Sequence, residues 1–251
     1  MPNYSTHIDL ADQILKVLDM PTLFLNKGSF LMGSTAPDIR IITKASREKY
    51  HFASIQFDQL GEGITGFFNK EPHLANPKNI SDVTASFIAG FLTHIIADEM
   101  WIMSMYRPLF GNNNIFEDPV IGNFMDRVIQ LDMDRMARNR MNNMENVKLL
   151  IQNSRHEFNL GFISNQEIAL WRNWLLMAMS KQFSWERVRF MAKRGTSPDK
   201  LELVDSLADK FLVSIEQSIE SLYEQLPKDS IIKYQNRVIE ESQRTIRKYL
   251  E

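Results

Sequence analysis

His94 and Asp98 stand four residues apart, so on a helix they share one face, one turn apart. Two donors converging in this way suit a divalent metal. They equally suit a buried His–Asp hydrogen bond that only ties helices together. The spacing alone does not separate the two, since 5 histidines and 31 acids in 251 residues give roughly 0.6 such pairs by chance. The neighbours are more telling: Phe91, Leu92, Ile95 and Ile96 are apolar, and an Asp among them is costly to bury unless paired or metal-bound. There is no cysteine, which removes disulfides, zinc–thiolate sites and cysteine nucleophiles. Any metal must be held by nitrogen and oxygen donors.

Three further residues could join that pair. Asp38 closes a small-residue run, Gly33-Ser34-Thr35-Ala36-Pro37-Asp38, where on its own it could as well cap a turn or face water. His51 sits near a helix start, and taken singly is a surface or core histidine. His7 lies just before the first helix, where a role beside the cap is the plainer reading. Lys44, Arg47 and Lys49, close to His51, could meet a phosphate or simply be solvated. There is no Gly-x-Ser-x-Gly, no phosphate-binding glycine loop and no adjacent His-Asp pair, which argues against several other hydrolase classes.

The elements that must carry these residues are helical. Apolar periodicity predicts helices over Ile8–Leu18, Arg47–Leu60 (closed by Gly61 and Gly63), Val83–Tyr106, Val120–Met136, Asn143–Gln152, Asn165–Ser180, Trp185–Arg194, Pro198–Leu226 and Lys228–Leu250. Leu23–Met32 is a shorter apolar segment running into a loop at Gly33. Ser81-Asp82 caps the Val83–Tyr106 helix, which is apolar nearly all round and so belongs in the middle of a domain. No stretch alternates as a strand does, so the class is all-α. A chain of 251 residues, 44% hydrophobic, is read as a single domain, 1–251, with a full core. The apolar stripe from Leu201 to Leu222 is read as core, as are Trp101, Trp171, Trp174 and Trp185. Trp101, Met103, Met105 and Tyr106, beyond Asp98 on the same helix, are a candidate wall for an apolar substrate pocket. A net charge of −2 gives no reason to expect a nucleic-acid partner. The N-terminus shows no export signal and no apolar run reaches membrane length, so a cytoplasmic protein is expected.

Taken in order, His7, the GSTAPD run, His51 and the block Gly90-Phe91-Leu92-Thr93-His94-Ile95-Ile96-Ala97-Asp98 resemble the zinc-dependent phospholipase C family, which is grouped with the P1-type nucleases. The resemblance implies a multi-helix bundle of the phospholipase C/P1 nuclease type. It implies that Asp38, His51, His94 and Asp98 hold one zinc, with Asp98 bridging to a second ion bound by His7. Asp98 and Asp38 would then serve catalysis as well. The same donors accept iron or manganese.

The implied activity is phosphoester hydrolysis by metal-activated hydroxide, on a small-molecule or lipid-like substrate such as a phospholipid or phosphodiester. Alternatives are a tailoring metalloenzyme acting on a non-phosphate small molecule, and a metal-binding interaction protein without catalysis. The chain departs from the secreted family members after Asp98, where Glu99-Met100-Trp101-Ile102 replace a further histidine. Leu160 stands where a glutamate would pair with His156. Glu99, Asp126, Asp132 and Asp134 remain as oxygen donors for a further site.

Overall fold

The computed structural model describes residues 1–111, 115–141, 144–154 and 157–251. Among them all regular structure is helical. The helices are α1 Tyr4–Leu18, α2 Pro21–Leu25, α3 Lys27–Gly33, α4 Arg40–Thr43, α5 Arg47–His51, α6 Glu62–Lys70, α7 Asp82–Trp101 and α8 Pro119–Arg140. They continue as α9 Met144–Gln152, α10 Asn165–Ser180, α11 Arg187–Lys193, α12 Leu201–Val213, α13 Ile215–Gln225 and α14 Ser230–Leu250. The all-α expectation holds among the described residues.

Helix α7 is the axis. Ser81 caps it by accepting a hydrogen bond from the Thr84 amide. From Thr84 to Trp101 every residue is buried, as its apolar character all round requires. Beyond Trp101 the helix widens into a π-helical stretch, Ile102–Phe110, which carries Pro108 inside it rather than ending there. The stretch Asp82–Phe110 is the only one among the described residues long and apolar enough to cross a membrane, and 94% of its most apolar window is buried inside the structure.

Helix α3 lies directly on α7, and two glycines permit it. A Cβ on Gly33 would stand 2.0 Å from the Phe87 carbonyl oxygen, and one on Gly90 would stand 2.0 Å from that of Phe30. Neither position has room for a methyl group. Both glycines belong to motifs read above as functional: Gly33 ends α3 rather than opening a loop, and Gly90 lies one turn before His94. On the far side of α7, the Tyr234 hydroxyl of α14 donates to the Ala97 carbonyl at 3.0 Å, and its ring meets Trp101 edge-on. The other end of α14 and helix α8 both pack on α1.

Several expected boundaries shift. The Arg47–Leu60 helix stops at His51 because Phe52 turns left-handed, with φ 59°. That turn inserts the Phe52 ring among Phe67, Phe91 and Phe162, each edge-on to it. The long Pro198–Leu226 helix is broken at Ser214 into α12 and α13. Their apolar stripe is core: Val204, Phe211 and Leu222 are buried, and Leu207, Leu212, Ile215 and Ile219 pack against the same cluster. Helix α10 runs over the expected residues, with Ser164 and Glu167 forming a reciprocal capping box. Asn143 and His156 lie outside the described residues.

Candidate metal centre

Four separate segments deliver the five singled-out residues to one place. His94 and Asp98 come from α7, His7 from α1, His51 from the end of α5, and Asp38 from the 3-10 turn Ala36–Ile39 that follows α3. One donor atom each from His7, His94 and Asp98 lie within 4.8 Å of one another, and so do those of Asp38, His51 and His94. His94 and Asp98 belong to one turn of one helix, so the two groups form one centre.

The orientation of each side chain is set locally. The Ser34 carbonyl takes His94 Nδ1 at 2.9 Å, which leaves Nε2 facing the cluster. His7 stacks on His94 with ring centres 3.9 Å apart. His51 Nε2 lies 3.3 Å from His94 Nε2 and 3.1 Å from Asp98 Oδ2. Asp98 Oδ1 faces His7 Nε2 at 3.5 Å, and neither atom has a hydrogen-bond partner although both are buried. Buried polar atoms without partners are uncommon and call for an explanation.

Arg47 completes the inner ring. Its Nη2 lies 3.1 Å from Asp98 Oδ2, while Nε and Nη1 are buried without partners. The sequence left Arg47, Lys44 and Lys49 undistinguished, and the structure separates them. Lys44 donates to the Ile41 carbonyl at the surface, and Lys49 lies 3.7 Å from Glu167. Arg47 alone of the three turns inward. The signal for this was available, since Arg47 is four residues before His51 on one helix.

Charge is distributed unevenly in the cluster. Burial pushes the His51 imidazole down to about 4, and the Arg47 charge adds to that. Burial also lowers His7, followed by the charge on His94. On His94 burial works the same way, but the adjacent Asp98 carboxylate outweighs it and raises the pKa. Burial opposes ionisation of Asp98, yet His94 and Arg47 beside it hold its carboxyl well below the usual range. His7 and His51 are therefore neutral near pH 7, the form in which imidazole binds metal.

The four candidate donors for a further site are engaged elsewhere. Glu99 accepts the Gly61 and Gly63 amides at 2.6 and 2.7 Å, which pins the start of α6. Asp126 accepts from the Trp101 indole, Gln130 and Arg127. Asp132 takes Tyr223 and Arg135, and Asp134 takes Arg187. None of them enters a metal-competent cluster among the described residues.

Of the five donors, Asp38 is the one with appreciable solvent exposure. His7, His51, His94 and Asp98 are at most 2% exposed, whereas Asp38 is half-buried and lines a cavity of about 580 Å³. Tyr4, Ile41, Trp171, Trp174, Phe190 and Met191 supply its apolar wall. The wall expected from the end of α7 is not there. Trp101 and Met105 are buried in the core, and Tyr106 bonds to Asn123.

The donor set is three imidazoles and two carboxylates, with two opposed, unpartnered buried donor atoms. It fits a divalent ion such as zinc, which takes nitrogen and oxygen ligands in this kind of set. The class so defined is an all-α protein with a buried histidine–aspartate centre. Residues 6–101 match the family model described as zinc dependent phospholipase C, the family whose motif order the sequence resembles. The matched stretch contains all five residues of the centre and ends with α7. No curated protein and no solved structure matches the chain.

Proposed function

We propose that the chain, acting as one domain over 1–251, is a metal-dependent hydrolase of phosphoesters with zinc as its metal. The observation that carries the reading is the convergence of two donor groups on His94, one with His7 and Asp98 and the other with Asp38 and His51, with His7 Nε2 and Asp98 Oδ1 buried and unpartnered. Asp38, His51, His94 and Asp98 Oδ2 would hold one ion. His7 and Asp98 Oδ1 would begin a second site, with Asp98 as the bridge. Bound zinc supplies a Lewis acid and a nucleophile at neutral pH. The chain's own groups do the rest. The Ser34 carbonyl fixes the His94 tautomer, so that Nε2 points inward. Arg47 shares Asp98 Oδ2 and balances its charge. Asp38, at the solvent end of the centre, is positioned to orient a water and accept its proton.

The test is metal analysis of the purified protein, together with hydrolysis of bis(4-nitrophenyl) phosphate before and after chelation. At least about one zinc, manganese or iron per chain is expected, with activity lost on chelation and restored by the metal. Stoichiometric metal without chelator-sensitive phosphodiesterase activity would favour a non-phosphate substrate. Substoichiometric metal that His94→Ala leaves unchanged would overturn the centre itself.

A further inference from the structure

The cavity that opens from Asp38 carries more positive charge than its neighbours balance. Lys44, Arg138, Lys181, Arg187 and Arg194 line it, against the single lining carboxylate of Asp38. Behind the wall the buried Asp134 meets Arg187 at 2.9 Å and Arg138 at 3.8 Å, so one carboxylate serves two guanidinium groups. Lys44, Lys181 and Arg194 form no ion pair with any described residue. Three of the five cations are thus without a counter-charge, and they line the same cavity as Asp38 of the centre.

Apolar surface lies beside them. Trp171 and Trp174 stack 4.8 Å apart, with Tyr4 edge-on to Trp174. Phe190 is 68% exposed, with the Arg194 guanidinium over its ring. A volume of about 580 Å³ is that of a pocket for a drug-sized ligand.

We propose that this cavity selects a phosphoester of net negative charge with an apolar body, and disfavours one whose charge is cancelled by a quaternary ammonium group. The inference rests on the hydrolase reading above and names the substrate class for that site. Aromatic walls by themselves would attract a quaternary ammonium. Here Trp171 is only 1% exposed, the two indoles cover each other's faces, and the exposed Phe190 ring already carries the Arg194 guanidinium over it. Three cations without a counter-charge line the same cavity, and their repulsion of a quaternary ammonium opposes that attraction. The same cations raise the local concentration of anions at the cavity mouth.

The experiment uses two monomeric probes with the same acyl chains and the same phosphodiester: dihexanoyl phosphatidylglycerol, net −1, and dihexanoyl phosphatidylcholine, net zero. Each is titrated calorimetrically into the full-length protein, zinc-loaded and chelator-treated. The anionic probe is expected to bind about tenfold tighter in both forms, with the gap narrowing at high salt. Lys181 and Arg194 are exposed, so the double variant Lys181→Glu/Arg194→Glu should keep the melting temperature and zinc content while losing the gap. Equal affinities, a preference for the choline probe, no binding of either, or a gap that survives the double variant would each overturn the proposal. A charge gap in a protein that holds no metal and hydrolyses nothing would sink the hydrolase reading instead, leaving the cavity assignment standing.

Discussion

On α7, Asp98 lies buried among His7, His51, His94 and Arg47, with one oxygen facing an imidazole nitrogen and no hydrogen bond to it. On α8, Asp126 and Asp132 are just as buried, but each is saturated by neutral donors and arginines. Asp134 keeps one free oxygen, yet its charge is met by Arg187 and Arg138, and it joins no histidine cluster among the described residues. Burial of a carboxylate therefore does not mark a functional site by itself. What sets Asp98 apart is the imidazoles around it and the donor atoms left unpaired, a combination that a bound cation would satisfy under the metal-centre reading proposed above.

Isosteric amide substitutions test that contrast most directly. Asp98→Asn should cut phosphodiester hydrolysis by more than about 100-fold, beyond what residues that only orient ligands cost, and should lower metal content while the far-ultraviolet dichroism stays unchanged. Full activity in this variant would make Asp98 a structural acid like those of α8.

The next largest effect is in packing. Gly90→Ala, or Gly33→Ala, must push α3 off α7, at about 2–3 kcal/mol of stability by denaturant melt. Because α3 leads into Asp38 and Ser34, metal affinity should fall as well. A variant that melts like the parent would show that the close approach is not required.

Asp132→Asn weakens the bonds to Arg135 and Tyr223 and should cost about 1–2 kcal/mol with metal content unchanged. Loss of metal there would erase the distinction between the two helices. The smallest effect belongs to Arg189→Ala, whose partners Asp205 and Asp209 are exposed. It should stay within about 1 kcal/mol in a thermal melt and weaken further in salt.

Helical class, the four-residue pairing on α7, the cap at Ser81 and the bounds of α10 were legible in the sequence, because each depends on residues a few positions apart. The donors His7, Asp38 and His51 were legible as residue types and through the family's motif order. Their meeting was not, since His7 and Asp98 are brought together only by the packing of α1 and α3 on α7. That packing relies on Gly33 and Gly90, and nothing local in the chain says that these two glycines face opposing helix backbones. The stop at His51 was hidden for a related reason. Helical period continues past it, and the pull of Phe52 into an aromatic cluster contributed by three other segments overrides it. The cationic cavity beside Asp38 belongs to tertiary structure alone. Periodicity shows which face of a helix is apolar, but the faces that meet are chosen by packing at contacts far apart in the chain.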